Sequence, residues 1–119
     1  MTHDINIHHE DNHESASSYL VEEIRNLLVN SNRDFSIGLS GGNTPKLTYS
    51  MMAEKLDDLS KTFLWTIDDR WIEEDNDLSN QRMINEYFER TDANILKFEF
   101  TSSSPESDAK KYEDKLKST

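Results

Sequence analysis

Two short clusters carry the residue types that chemistry would need. The first is Ser40-Gly41-Gly42-Asn43-Thr44-Pro45, which follows the alternating apolar residues Phe35, Ile37 and Leu39. Adjacent glycines let the backbone curl so that successive N–H groups point inward and form an anion nest. A helix opening at Pro45 adds the partial positive charge of its amino terminus. Ser40, Asn43 and Thr44 bring side-chain donors, and Lys46 brings a charge, although a lysine in a first turn often faces water. The same residues also suit an ordinary glycine turn between strand and helix, and spacing alone leaves both readings open.

The second cluster is Asp68-Asp69-Arg70, at the end of the apolar run Phe63-Leu64-Trp65-Thr66-Ile67. An arginine there can grip a phosphate through two parallel hydrogen bonds or steady a developing carboxylate. A neighbouring carboxylate can act as general base or hold the arginine in place. A structural Asp–Arg pair or a solvated strand end is the alternative. If the two strands are neighbours, both clusters open at the carboxyl edge of the sheet, where ligands bind in open α/β folds. Residue types do not decide whether Asp68 or Asp69 faces that edge.

Other signals exclude chemistry rather than add it. No Lys follows the second glycine, so the loop is not a Walker nucleotide loop, and adjacent glycines do not make a dinucleotide fingerprint. The acidic stretch Glu73-Glu74-Asp75-Asn76-Asp77 lacks the central Gly of a calcium loop and reads as solvated. His3, His8, His9 and His13 match no metal-ligand spacing on one helix face and read as surface residues. No metal and no cofactor is expected.

Four strand–helix pairs are predicted to position these clusters. Ile5 and Ile7 alternate with polar neighbours as a first strand, and Asp11 with Glu14 resembles a capping box. Ala16, Leu20, Ile24, Leu27 and Leu28 then recur at helical spacing. Phe35–Leu39 is the second strand, and Leu47, Met51, Met52 and Leu56 mark the helix after Pro45. The run 63–67 reads as a strand buried on both faces, the habit of parallel sheets. Ser79 or Asn80 caps a helix whose inner side is Met83, Ile84, Tyr87 and Phe88. A fourth strand is expected around Leu96, Phe98 and Phe100, before a last helix opened by Pro105 and carrying Ala109, Tyr112 and Leu116. This alternation predicts one α/β domain over residues 1–119, an open, mainly parallel sheet with Rossmann-like helical layers on both faces.

Composition bounds the function. The 119 residues are 34% hydrophobic, a thin core, so either a few layers pack economically or part of the apolar surface expects a partner. Acidic residues outnumber basic ones 24 to 13, for a formal net charge of −11. Such a surface repels nucleic-acid backbones and anionic lipid, while a local cluster of N–H groups and one arginine can still hold a small anion. There is no Cys, the first residues have no signal-peptide pattern, and no apolar run spans a bilayer. A cytoplasmic protein is expected.

Several motifs in register resemble the 6-phosphogluconolactonase family and the related glucosamine-6-phosphate deaminases. They are Leu39-Ser40-Gly41-Gly42-Asn43-Thr44-Pro45 with Tyr49, then Trp65 and Asp68-Asp69-Arg70-Trp71, then Ser79-Asn80, and last Tyr112-Glu113-Asp114-Lys115-Leu116. The resemblance covers nearly the whole chain and is to the amino-terminal part of the family fold, so the sheet is expected to be an incomplete half. Arg70, where the deaminases have Tyr, and the Ser-Asn pair favour the lactonases. Asp69 stands where Glu is usual, and Asn43 where the loop usually has Ser.

The resemblance implies metal-free hydrolysis of 6-phosphogluconolactone to 6-phosphogluconate, in the oxidative pentose phosphate pathway. It implies that Ser40, Gly41, Gly42, Asn43 and Thr44 hold the substrate phosphate and that Arg70 and Asp68 are catalytic. The lactonases carry a later Gly-x-Gly-x-Asp-Gly-His segment, whose His serves as base, and these 119 residues do not contain it. Weak or no activity of the isolated chain is therefore expected. So is self-association, or a missing carboxy-terminal half, across an uncovered strand edge. The alternatives are a non-catalytic sugar-phosphate-binding module and a deaminase-like isomerase.

Overall fold

A computed structural model describes residues 4–119; Met1, Thr2 and His3 lie outside the described residues, and with them the reading of His3. Three of the four expected strands form: β1 (Phe35–Leu39), β2 (Thr62–Thr66) and β3 (Asn94–Leu96). They alternate with helices α1 (His13–Val29), α2 (Lys46–Lys55), α3 (Asn80–Phe88) and α4 (Pro105–Lys117). The sheet is parallel and ordered β1-β2-β3, with Leu39 opposite Thr66 and Trp65 opposite Leu96. The exits of β1 and β2 are therefore neighbours, as the chemistry requires.

The first predicted strand is not there. Residues 4–10 have no regular structure, and Ile5 and Ile7 are 83% and 88% exposed. Alternation supplied the pattern, but no strand edge pairs with this segment. Three further corrections concern packing. Helix α1 is capped by Asn12, not Asp11, with its side chain accepting from Ser15 N at 2.8 Å. Its buried residues are Ser17 and Val21, with Ile24 and Leu28 beside them, while Leu20 and Leu27 stay about half exposed. Strand β3 stops at Leu96 because the chain then turns to α3: Phe98 N donates to the Gln81 side chain at 2.9 Å instead of continuing the ladder.

Burial along β2 is also one-sided. Thr62, Leu64 and Thr66 are buried, while Phe63 and Trp65 are only half-buried. The closed side holds the core, a buried cluster that includes Leu64, Met52 of α2, and Ile84 and Phe88 of α3. Full burial of such side chains contributes about 1.5–3 kcal/mol each, so this side anchors the sheet. On the other side lies α4, whose Leu116 shares a groove with Phe63, Trp65 and Leu96. Tyr112 of α4 donates to Thr66 O at 2.8 Å, and burial pushes its hydroxyl up to about 12. Among the described residues, no helix is long and apolar enough to cross a membrane.

Candidate active site

Where β1 ends, the chain enters the glycine loop and then α2. Gly42 has φ +89°, a left-handed conformation that a side chain rarely adopts, and nothing lies near its missing Cβ. Gly41 is a glycine for another reason. A Cβ there would fall 2.1 Å from Asn80 Oδ1 and 2.7 Å from Asn80 Nδ2, so the α3 side chain occupies its place. Tyr49, buried on α2, donates its hydroxyl to Ser40 O at 2.8 Å, and burial raises its pKa above the ordinary value. Among the described residues, the N–H groups of Gly41, Gly42, Asn43 and Thr44 have no hydrogen-bond partner. The loop is thus held from outside while its own donors stay free, which is what an anion nest needs.

The exit of β2 spends its polar groups differently. Asp69 accepts from three backbone N–H groups: Arg70 at 2.8 Å, Asn80 at 2.8 Å and Gln81 at 3.0 Å. Ser79 caps the same helix by accepting from Arg82 N at 3.1 Å. Three of the donors that open α3 are satisfied in this way, two of them by a carboxylate that also suits the helix dipole. Asp69 is consequently structural. Asp68 is exposed, and its carboxylate has no hydrogen-bond partner among the described residues; only its backbone O is engaged, by Thr66 and Asn80.

Arg70 donates through Nη1 to Leu78 O at 3.0 Å and, more weakly, to Asn80 Oδ1 at 3.5 Å. No carboxylate among the described residues neutralises it, so the structural Asp–Arg pair is not formed. A cavity of about 300 Å³ lies between the loops, lined among others by Gly42, Asn43, Lys46, Arg70, Asn80 and Tyr87. Arg82 also lines it, but pairs with Asp77 and with Glu86, the latter at 2.9 Å. Arg70 and Lys46 are the cations there without such partners. Of the predicted site residues, Gly42, Asn43 and Arg70 meet in this cavity. Ser40, Gly41, Thr44 and Asp68 stand at the same sheet edge outside its lining.

The acidic stretch 73–77 and the described histidines, His8, His9 and His13, are mostly solvent-facing. The acidic loop is mostly exposed, although Glu74 accepts from Asn85 Nδ2. His8 is exposed, stacked on Tyr19 with its Nε2 beside Glu10.

The chain as a whole is similar to known proteins. A model of the family described as glucosamine-6-phosphate isomerases/6-phosphogluconolactonase matches residues 8–119. The chain belongs to this family. It is 35% identical over 85 residues to a 6-phosphogluconolactonase of Synechocystis sp., an alignment covering 68% of this chain and 35% of that protein. Among solved structures it is similar to a 6-phosphogluconolactonase from Shewanella baltica, with TM-score 0.80, 25% identity, and coverage of 90% of this chain and 48% of the other. A 6-phosphogluconolactonase from Thermotoga maritima aligns with TM-score 0.74 and 32% identity, over 86% and 50% of the two chains. The chain therefore spans about half the length of these family structures and about a third of the Synechocystis protein.

Sequence reasoning missed how the residues around these loops hold them together. Asn80 and Tyr49 were visible as motif members, but nothing in their spacing said that they brace the glycine loop from two sides. Asp108, buried on α4, accepts from Trp71 Nε1 at 3.0 Å and from Thr101 N at 2.9 Å. That link ties α4 to the residue after Arg70. No pattern in the sequence announces it, because the partners lie 37 positions apart.

Proposed function

We propose that this chain is the phosphate-gripping part of a 6-phosphogluconolactonase, acting in the cytoplasm within the oxidative pentose phosphate pathway. The observation that carries the reading is Arg70. It faces the Gly42–Asn43 loop across a cavity whose two carboxylates, Asp77 and Glu86, pair with Arg82, and among the described residues no carboxylate pairs with Arg70 itself, in a chain whose net charge is −11. A cation kept free in so acidic a protein, beside unpaired backbone N–H groups, is suited to a phosphate dianion.

In this reading the glycine loop from Ser40 to Thr44 and Arg70 bind the phosphate of 6-phosphogluconolactone, with Lys46 adding charge. The phosphate fixes the sugar so that the lactone carbonyl lies along the same sheet edge, near the free carboxylate of Asp68. Water then adds to the carbonyl carbon, the bond to the ring oxygen breaks, and that oxygen takes a proton to give 6-phosphogluconate. In this reading the base that activates the water is not among these 119 residues. The reaction needs no metal or cofactor, and neither nucleic acid nor membrane is a partner.

General base catalysis contributes about 10²–10⁴-fold, so these 119 residues should bind the product and hydrolyse little. Titration with 6-phosphogluconate should show saturable binding that Arg70→Ala weakens roughly ten- to hundredfold, the loss of a charge-assisted contact. Hydrolysis of fresh lactone should stay near its spontaneous rate. Binding that ignores Arg70→Ala sinks the assignment of the grip, and saturable turnover by the chain alone sinks the division of labour. Release of ammonia from glucosamine 6-phosphate would select the deaminase alternative.

A further inference from the structure

We infer that Asn80 is a positioning residue that sets the glycine loop and Arg70 at a fixed separation, so that one anion meets both. The inference rests on the sugar-phosphate reading above. Asn80 stands at the first turn of α3, 7% exposed, between the two loops. Its backbone N–H is held by Asp69 at 2.8 Å, which fixes where the side chain starts. Its Nδ2 donates to Asp68 O at 2.9 Å, and its Oδ1 faces Arg70 Nη1 at 3.5 Å. The same amide occupies the volume that a Cβ at Gly41 would need, at 2.1 to 2.7 Å.

One planar amide thus touches the glycine loop, the backbone beside Asp68 and the guanidinium. Both ends have the right polarity, a donor toward a carbonyl and an acceptor toward a cation. An acceptor that is neutral orients Arg70 without cancelling its charge, which a carboxylate in the same place would do. That distinction separates a positioning role from a merely structural one. Asn80→Asp keeps the shape, loses the donor to Asp68 O and places a negative charge against Arg70. Asn80→Ala removes both contacts and empties the space beneath Gly41.

The test is a titration of the isotopically labelled full chain with 6-phosphogluconate, following the Gly41 and Gly42 amide signals, alongside thermal melts. Wild type should shift both signals saturably. Asn80→Asp should weaken binding by roughly ten- to hundredfold while the folded spectrum is retained, as expected for a neutralised charge-assisted contact. In melts, Gly41→Ala should lower Tm clearly in the wild-type background and much less in Asn80→Ala, because the clash is with the Asn80 amide. Unchanged affinity in Asn80→Asp and Asn80→Ala overturns the inference and leaves the sugar-phosphate reading standing. An equal cost of Gly41→Ala in both backgrounds overturns it as well. A wild-type chain that shows no shift sinks the sugar-phosphate reading, and this inference with it.

Discussion

The loops that leave β1 and β2 sit side by side and handle their polar groups in opposite ways. The first, from Ser40 to Pro45, keeps the N–H groups of four successive residues without partners among the described residues and is held by side chains of α2 and α3. The second turns its carboxylate inward, so that Asp69 closes on Arg70, Asn80 and Gln81. A ligand-binding loop has to leave donors unspent, and in a folded protein that is tolerable only where solvent or a ligand can reach them. The framework loop has the complementary task. Through Asp69 it spends a carboxylate on three backbone N–H groups, which holds the Arg70 backbone and one helix start in place.

The comparison breaks most readily at Asp69. Replacing Asp69 with Ala removes the acceptor of three backbone N–H groups, two of them at the α3 amino terminus. Loss of a cap together with charge-assisted hydrogen bonds should cost roughly 2–3 kcal/mol, read from chemical denaturation. The glycine loop should register the damage indirectly, because Asn80 loses its backbone anchor. A cost below about 0.5 kcal/mol, the scale of an ordinary surface substitution, would show that the second loop is not the framework.

Much of this arrangement was legible before any coordinates. The glycine pair, the apolar strands and the helix starts at Pro45, Ser79 and Pro105 each have a local cause that composition and spacing express. The misreadings share a different cause, since each depended on what a segment packs against. In α1 the leucines at 20 and 27 follow helical spacing as well as Val21 does. The buried face was chosen instead by Ser17, whose hydroxyl accepts from Thr48 of α2 at 3.0 Å. A buried pair of hydroxyls is invisible to a pattern built on hydrophobicity. Ile5 and Ile7 alternate like a strand but pair with neither open edge of the sheet, and Phe98 is drawn off its expected strand by one glutamine. Asp69 could not be told from Asp68 by sequence because their difference is one of direction at a strand end.

A second, smaller effect sharpens the framework side of the comparison through pH. Asp108 accepts from Thr101 and Trp71, and the Thr101 contacts foremost hold its carboxyl below the usual carboxylate range. A lowered folded-state pKa means that the ionised group stabilises the fold above its unfolded value of about 3.9. That contribution is lost as pH falls through the lower folded value. The clamp from α4 to Trp71 should therefore loosen in acid, and Asp108→Asn should flatten the fall in stability below about pH 4. Melts of the two proteins between neutral pH and acid would show it. Parallel curves would mean that other carboxylates carry the acid response and that α4 does not brace the second loop through Asp108.

The smallest expected effect lies on the open side. Tyr49→Phe keeps the buried ring, with its edge contacts to Tyr87 and Phe88, and removes only the hydroxyl that donates to Ser40 O. A single neutral hydrogen bond contributes about 0.5–1.5 kcal/mol net, and Ser40 is exposed, so water can take the place of the hydroxyl. Stability should drop only toward the lower end of that range. The loop should respond more than the fold does, because the Tyr49 hydroxyl holds it directly at Ser40 O. Backbone order parameters of Gly41 and Gly42 from nitrogen relaxation, measured against those of the core strand β2, separate the two responses. Lower order confined to the loop agrees with a site whose geometry is imposed by its neighbours. Order that falls equally in β2 would place Tyr49 in the common core instead, and the contrast between an open loop and its framework would no longer hold there.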